Sequence, residues 1–512
     1  MNILRRRGAI ATLTVLAVAV GSILTSIAPV SAAVAPKITG FTPKSGPVGT
    51  PVWITGSGFT GTTAVDFGAT PAAFSVVGAS TIYTTVPNAA ISATISVKTP
   101  SGTATSGTQS FTVTPWITGL STSSGSAGTS VTISGTNLTS ATQVTFGGVA
   151  ATVTADSYTQ ISTTVPAGAT TGPIAVTTAA GSAYSATLFS VGTPQVFDVT
   201  NYGAIANGTG DNTAAFQATI AAAQAAGDGS IVSIPAGTYL FSTGTPASIQ
   251  VHGTVPIVLA GAGSGTTKLI EATYNKDLIS VKCNWTVVQD LTLDTQTYNG
   301  GHPIGDGASY TTIQRMNILD GSNTFGIYLS GPPKAHPGNG LYSEDNVVNE
   351  VVLNDHYAGD GFSFSFQDHG TVSNITHTGS HITLYGDENT TVTNYNYTPG
   401  AYGRTAGFII STPCDNMTIT NFVTSGQGGQ IRTAPTAARV NQNIVINGEV
   451  MTGSSAMRLL IGDVEGLVVE NSTLDGIVVS PTIIAQGTVS ATTYKSLVNR
   501  PQHSGVIHIT YS

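Results

Sequence analysis

The chain has 512 residues, of which 8% are charged and 40% are hydrophobic, with a net charge of −8. The apolar content excludes a disordered chain, and an acidic balance without a basic cluster beyond the first residues excludes nucleic acid as a partner. Short alternating runs of Val, Ile and Phe between Gly-rich turns predict an all-β protein with several domains.

The chain opens with a segment typical of a secretory signal peptide, MNILRRRGAIATLTVLAVAVGSILTSIAPVSAA. Three arginines precede an apolar run that ends in small residues, so we predict a signal peptide over residues 1–32 and a secreted, extracellular product. An uncleaved membrane anchor is the alternative, because the apolar run is long. No later segment is apolar for long enough to span a bilayer.

An internal repeat follows: residues 38–87 recur at 117–166, 79 positions later. Their strand-like alternation predicts two small β-sandwiches, over 36–114 and 115–194. The P-x-S-G-x-x-G turn from Pro43 to Gly49 and the V-x-F-G hairpin resemble those of IPT/TIG immunoglobulin-like modules. The resemblance implies spacers or binding units. A passive spacer and binding to a cell-wall or matrix glycan are both left open.

At Phe197 the pattern changes to a strand, an Ala-rich helix with Asp211 at its N-cap, and a second strand. The motifs DVTNYGA, GTGDNTAAFQ and IPAGTY follow one another in this order over about 45 residues. They resemble the opening of the pectate-lyase-like, polygalacturonase-related superfamily. The resemblance implies a right-handed parallel β-helix over 196–512 whose N-terminal end is covered by the helix.

Repeated strands support this fold without any resemblance, since a recurring Asn marks DNVVNEVVL, HGTVSNITH, NTTVTNYNY and DNMTITNFV. We predict roughly ten coils with apolar columns inside and Asn side chains bonded to one another along one turn. Cys283 and Cys414 would lie nearly 30 Å apart at about 4.8 Å per coil, so we predict two separate buried thiols. The insertion 330–345 is expected to overhang the groove.

Chemistry is expected on the outward face of the strands GFSFSF, HITLY, GFIIS, GQIR and MRLLIG, where successive coils form a ruler for a linear polymer. Neighbouring coils would separate two carboxylates by the 5–9.5 Å or so that glycosidic cleavage needs. Turn capping for the acids and ion pairing for the arginines are the structural alternatives. The predicted catalytic residues are Asp360, Asp387, Glu388 and His381, and the predicted substrate-binding residues are Arg432, Arg458, Tyr385, Asp368 and Gln367.

Part of the motif set also resembles polygalacturonase-type hydrolases: Asp360 before GFSFSF, His381 one coil later, and Arg432 in QIRT. The set is incomplete, because Phe325 follows Asn323-Thr324 where those enzymes have Asp. The gap argues against ordinary polygalacturonase activity. From the acids on the outward face we predict a secreted glycoside hydrolase that acts on a polysaccharide, with no cofactor or metal unless the chain is a lyase. Asp360 would be the general acid, and Asp387 or Glu388 would activate water.

Two alternatives remain. The first is a polysaccharide lyase, in which Asp360, Asp387, Glu388 and Arg432 could play the catalytic and calcium-binding parts; the sequence leaves open whether calcium is needed. The second is a non-catalytic glycan-binding surface protein, an adhesin, which the missing Asp after Asn323-Thr324 favours.

Overall fold

A computed structural model gives the architecture of the chain. It describes most of the chain from residue 34 onward; the predicted signal peptide, Asp360, Arg458 and the centre of the insertion 330–345 lie outside the described residues. The described ranges are 34–227, 229–243, 247–272, 277–296, 301–320, 325–331, 343–355, 361–400, 407–411, 414–424, 430–432, 441–451, 459–461, 464–470, 472–474, 477–479, 485–490, 493–494, 497–499 and 507–511.

The two repeats form two antiparallel β-sandwiches built alike. In each, a four-stranded sheet packs on a second sheet, and the alternating Val, Ile and Phe side chains of both meet between them. Module 1 contains Lys37–Thr42, Ser45–Gly46, Pro51–Ser57, Ala64–Phe67, Thr70–Ala72, Phe74–Gly78, Thr81–Thr85, Ala93–Thr99 and Gly102–Val113. Module 2 contains Trp116–Leu120, Ser124–Gly125, Ser130–Thr136, Gln143–Phe146, Val149–Ala151, Val153–Asp156, Gln160–Thr164, Ile174–Thr178, Gly181–Tyr184 and Ser190–Val191.

Module 1 is docked on the β-helix through an aromatic contact. Trp53 is 2% exposed and packs with Tyr83, Val77 and, on the β-helix, Val445. The Trp53 and Tyr83 ring centroids are 5.1 Å apart. The aromatic pair therefore ties the first module to a distant part of the chain.

A helix covers the first coil, as predicted. After a short 3-10 turn, Val199–Tyr202, the helix Thr213–Ala226 buries Phe216 and Ile220 against the strands that follow. Its N-cap is Asn212, one residue after the predicted Asp211. Asp211 instead accepts hydrogen bonds from the backbone N–H and the hydroxyl of Thr213. The unpaired end of the first coil is thus closed by an apolar helix face.

The rest of the described chain winds into two long parallel sheets and a short parallel pair of strands, Ser343–Glu344 and Gln367–Asp368. The groove sheet, of eleven described strands, contains Ala247–Val251, Asp277–Val281, Ile304–Asp306, Ile327–Ser330, Phe362–Ser365, Ile382–Tyr385, Phe408–Ser411, Gln430–Arg432, Leu459–Ile461, Ile477–Val479 and Leu497–Asn499. The long sheet, of twenty described strands, contains Val196–Asp198, Asn207–Asp211, Ser230–Ile234, Gly237–Phe241, Ile257–Gly261, Thr267–Glu271, Val287–Gln289, Thr292–Asp294, Thr312–Asp320, Val347–Asp355, Thr371–Gly379, Thr391–Pro399, Asp415–Thr424, Asn441–Asn447, Val450–Met451, Val464–Glu470, Thr473–Leu474, Ala485–Ser490, Thr493–Tyr494 and Ile507–Tyr511.

The recurring Asn residues occupy one bend of the long sheet. Asn374, Asn394 and Asn421 have φ of 54–55°, in the left-handed region that Asn tolerates better than most residues. Asn394 Nδ2 donates to Asn374 Oδ1, and Asn421 Nδ2 donates to Asn394 Oδ1, each at 3.1 Å. The predicted ladder of Asn side chains is therefore confirmed.

One continuous apolar core fills the coil and contains both cysteines. Cys283 and Cys414 are both buried and no disulfide joins them, so the prediction of two separate thiols is confirmed. Among the described residues, no helix is long and apolar enough to cross a membrane. The predicted all-β class, two immunoglobulin-like sandwiches and a parallel β-helix behind a capping helix, is confirmed.

Candidate functional site

The groove sheet aligns the strands that the sequence marked for chemistry. The strands of GFSFSF, HITLY, GFIIS and QIR are direct neighbours. Tyr328, Ser363, Thr383 and Ile409 form one outward row in register. Rows of this kind place side chains about 4.8 Å apart along the coil axis.

Most of this row is closed to solvent. Ser363, Ser365 and Thr383 are at most 7% exposed, and the hydroxyl oxygens of Ser363 and Ser365 lie 2.9 Å apart. Tyr385 is 36% exposed and meets the Phe366 ring edge-on at 5.4 Å. Tyr385 is thus the one predicted binding residue of the groove sheet whose described side chain reaches solvent.

A bend at the end of this sheet moves two predicted site residues into the interior. Phe366 and Gly386 have φ of 54° and 68°, which shifts the in–out alternation by one residue. Gln367 and Asp387 therefore point inward and are 0% exposed, contrary to the outward position expected for Gln367. Asp387 Oδ1 accepts the backbone N–H of Gln367 at 2.9 Å.

The interior position of Asp387 changes its chemistry. Burial raises its pKa well above the ordinary value, although backbone hydrogen bonds act in the opposite direction. A neutral carboxyl enclosed in the wall does not activate water in a groove. Asp387 and Glu388 also lie on opposite sides of the wall, so the described members of the expected calcium set do not fit one ion. Among the described residues, no His, Cys, Asp and Glu group is placed to hold a metal.

The remaining predicted residues are dispersed. His381 is 1% exposed, and its carbonyl oxygen accepts the backbone N–H groups of Gly361 and Phe362. Arg432 continues the outward row that contains Ser411, but its side chain is not among the described ones. Asp360 and Arg458 lie outside the described residues. These placements leave the expected hydrolase set unassembled in the described groove.

Asp368 and Glu388 are brought together, but at another corner of the coil. The backbone bridges Glu344–Asp368, Asp368–Glu388 and Glu388–Asp415 set four acids in one column. His369 Nδ1 lies 2.9 Å from Asp368 Oδ1. Two acids of this column, Glu344 and Asp368, line a cavity that the second module also lines.

The sequence analysis missed a histidine–aspartate pair that lies at the edge of the groove sheet where its strands begin. Asp277 Oδ1 accepts hydrogen bonds from the backbone N–H and from Nδ1 of His302, both at 2.8 Å. An ionised carboxylate only accepts, so the Nδ1 atom carries the proton of this hydrogen bond, and Nε2 is the ring atom left to act as a base. Burial alone would raise the pKa of Asp277, but the His302 hydrogen bonds and the charges of His302 and Lys282 outweigh it and lower that pKa.

Two aromatic rings stack beside this pair. The ring centroid of His302 is 4.9 Å from that of Tyr328 and 5.7 Å from that of Phe325, with the planes nearly parallel. Lys282 is exposed and follows the opposite end of the strand Asp277–Val281, and its charge helps to lower the pKa of Asp277. The half-buried surface at the start of this strand thus holds a base bonded to a carboxylate beside the Tyr328 ring.

One signal in the sequence could have found this pair. Asp277 and His302 are separated by one coil. Asp277 lies two residues before Ile279, His302 lies two residues before Ile304, and these two isoleucines pair in register. Aligning the early strands DLISV and PIGD with GFSFSF would have placed both at the same edge. The early coils were not aligned because they lack the recurring Asn.

The fold defines a parallel β-helix preceded by two β-sandwich modules. Residues 36–113 and 115–191 match the IPT/TIG domain, and residues 196–409 match the family "Rhamnogalacturonase A/epimerase, pectate lyase-like". The chain therefore consists of two IPT/TIG modules and a pectate-lyase-like parallel β-helix, which confirms the predicted architecture.

Curated relatives include mannuronan C5-epimerases of Azotobacter vinelandii. AlgE2 is 29% identical over 254 residues, covering 46% of this chain and 22% of the relative. AlgE4 is 34% identical over 144 residues, covering 24% and 26%. The chain thus spans about a quarter of the length of these relatives. Among solved structures, the AlgE6 A-module of the same organism is 18% identical, covers 62% of this chain and 98% of that module, and has a TM-score of 0.44.

Proposed function

We propose that this chain is a secreted enzyme that modifies a uronic-acid-containing polysaccharide by removing the proton on C5, next to the sugar carboxylate. The carrying observation is the His302–Asp277 pair at the edge of the groove sheet where its strands begin. The names of the relatives, mannuronan C5-epimerases, support a polysaccharide as substrate and this type of reaction.

His302 Nε2 takes the C5 proton while Asp277 stabilises the imidazolium that forms. The electron pair left on C5 moves into the carboxylate. Tyr328 supplies a proton, either to C5, which inverts that centre, or to the leaving glycosidic oxygen, which cleaves the chain by elimination. Epimerase and lyase chemistry therefore share the first step.

Hydrolysis by paired carboxylates receives less support. Among the described side chains of the groove sheet, Asp277 is the one carboxylate, and it is already bonded to His302. A hydrolase needs a second acid about 5–9.5 Å away on the same face. Asp387 is interior, and Asp368 and Glu388 stand at the other corner.

The test is incubation of the full chain with polymannuronate and with polygalacturonate in D2O, followed by NMR of the product. We expect deuterium at C5 and, for elimination, an unsaturated end group. In His302→Gln, incorporation should fall by about 10²- to 10⁴-fold, the usual contribution of a general base. His252→Gln is the matched control, because His252 lies on the same sheet but bonds to Ser280 instead of a carboxylate.

Reducing ends with neither C5 exchange nor an unsaturated end group would overturn the proposal in favour of hydrolysis. Binding of either polymer without any turnover would favour the non-catalytic alternative. Equal losses in His302→Gln and His252→Gln would show a general effect on folding in place of a role for this base.

A further inference from the structure

A cavity of about 380 Å³ lies where the second module meets the β-helix. We call it the joint cavity and define it by Trp116, Tyr184, Tyr310, Asp345, Asp368 and His369. It adjoins the acidic column and is separate from the groove sheet, so the proposed C5 chemistry does not use it. Its size suits one or two sugar rings, at the lower end of the volumes of ligand pockets.

Two exposed aromatic side chains line the module side. Trp116 is 42% exposed and Tyr184 is 44% exposed, which is unusual for rings of this size. The ring of Tyr184 meets Trp285 and Tyr310 edge-on, and these two rings stack on each other at 4.5 Å. The result is an aromatic wall that still presents open ring surface.

The internal repeat shows that the module fold does not require these rings. At the equivalent positions, 79 residues earlier, module 1 has Lys37 and Thr105. Both copies keep the same neighbouring hydrogen bond, from Ile95 N to Ser106 Oγ in module 1 and from Ile174 N to Ser185 Oγ in module 2. Of the two modules, only module 2 has aromatic residues at these two positions, which points to a role for them in the joint cavity.

The floor of the cavity is acidic. Among its described lining residues, Glu344, Asp345 and Asp368 are carboxylates and none is Lys or Arg. Tyr310 donates its hydroxyl to Glu344 Oε2 at 2.6 Å, and Asn389 Nδ2 donates to Asp368 Oδ1 at 2.7 Å. Each carboxylate offers about four acceptor sites, so several remain for ligand hydroxyl or ammonium groups.

We propose that the joint cavity is a second carbohydrate site that binds a non-acidic glycan, neutral or amino-bearing. Aromatic faces take the apolar C–H side of a pyranose, and carboxylates accept its hydroxyl groups. A uronate would bring like charge to Glu344, Asp345 and Asp368, of which His369 pairs only with Asp368, so we expect it not to bind. The site would hold the enzyme on a neutral or basic matrix polymer while the groove acts on an acidic one.

The test uses tryptophan fluorescence of the full chain, which has three Trp residues. Trp116 lines the cavity and Trp285 stacks on its wall, whereas Trp53 is buried elsewhere, so a change in emission reports on this site. The probes are xylo-oligosaccharides, chitosan oligosaccharides and oligomannuronate. We expect saturable changes with the first, the second or both, and none that depends on Trp116 with the third.

Trp116→Lys places the residue of module 1 in module 2, so folding should be retained, and calorimetry with the responding probe should show at least about tenfold weaker binding. Val352→Lys is the matched control, since Val352 is 43% exposed on the outer face of the long sheet. Unchanged affinity in Trp116→Lys, or no response to either non-acidic probe, overturns the proposal. The C5 exchange assay should be unaffected by Trp116→Lys and binding at the joint unaffected by His302→Gln, so each proposal can fail alone.

Discussion

Replacing Asp345 by Asn should stabilise the protein at neutral pH. Asp345 stands in the joint cavity, where burial and the charges of Asp368 and Glu344 raise its pKa from 3.8 to about 6, with His369 acting in the opposite direction. A carboxyl that is harder to ionise in the folded protein destabilises it once ionised. Asn has nearly the same shape and is always neutral.

The sign and size follow from linkage. Because the folded pKa is raised, the favourable contribution of protonated Asp345 is fully present below pH 3.8 and is lost as pH rises through about 6. At 1.36 kcal/mol per pH unit, the ionised group costs about 3 kcal/mol at pH 8. Asp345 has a φ of 51°, and Asn389 and Asn416 hold the same left-handed position in later coils, so Asn adds no backbone strain.

The assay is urea unfolding of wild type and Asp345→Asn at pH 4, 5, 6, 7 and 8, followed by tryptophan fluorescence. The stability difference should be near zero at pH 4 and approach about 3 kcal/mol in favour of the variant at pH 8. A difference that stays constant across this range, or a variant less stable at pH 8, would refute the reasoning.

Asp368→Asn is the control of opposite sign. Burial raises the pKa of Asp368, but its bonds with His369 and Asn389 outweigh this and lower it. The stabilisation by ionised Asp368 is therefore present above its unfolded pKa and is lost as pH falls through the lowered folded pKa. Asp368→Asn should destabilise at pH 7, and the loss should shrink towards low pH.

Two further substitutions test the scaffold. Asn394→Ala should lower the free energy of unfolding by about 2 kcal/mol, because it removes two ladder hydrogen bonds and leaves Ala at a φ of 54°. Asn394→Gly should lower the free energy of unfolding by less, because Gly448 already occupies this bend in a later coil. Equal losses of the two variants in urea unfolding would contradict the argument. Trp53→Thr, which copies Thr132 of module 2, should weaken the docking of module 1 by about 3 kcal/mol while the module stays folded. The radius of gyration in small-angle scattering should then increase, and an unchanged radius would contradict the prediction.

The bends that repeat could be predicted from the sequence because their cause is local. Asn at one position per coil is a residue that accepts the left-handed backbone and bonds to its own copy above and below. The inward positions of Phe362 and Phe364 follow in the same way from strict alternation. The two modules and the capping helix were equally accessible, since each is encoded in a contiguous stretch.

The partners of the buried polar groups could not be predicted, because they depend on register between coils. His377 is inward by the same alternation as Ile375 and is 0% exposed, but the sequence does not show that it pairs in register with Leu353 and Tyr397. Its Nδ1 lies 2.6 Å from the hydroxyl of Tyr395, and its Nε2 lies 3.4 Å from Asp355 Oδ2. An imidazole with these partners belongs to the core, whatever its sequence neighbours suggest.

The wall of a β-helix is one residue thick, so a single left-handed residue decides on which side the next side chain lies. Gly386 turns Asp387 inward and Glu388 outward, so two acids adjacent in sequence cannot serve one reaction. Asp277 and His302 are 25 residues apart and share a hydrogen bond of 2.8 Å, because one coil separates them. We therefore expect chemistry in this fold to assemble along columns, so substitution in the groove pair His302–Asp277 should lower the proposed activity by about 10²- to 10⁴-fold, and substitution of the acids near HITLYGDE should lower it less.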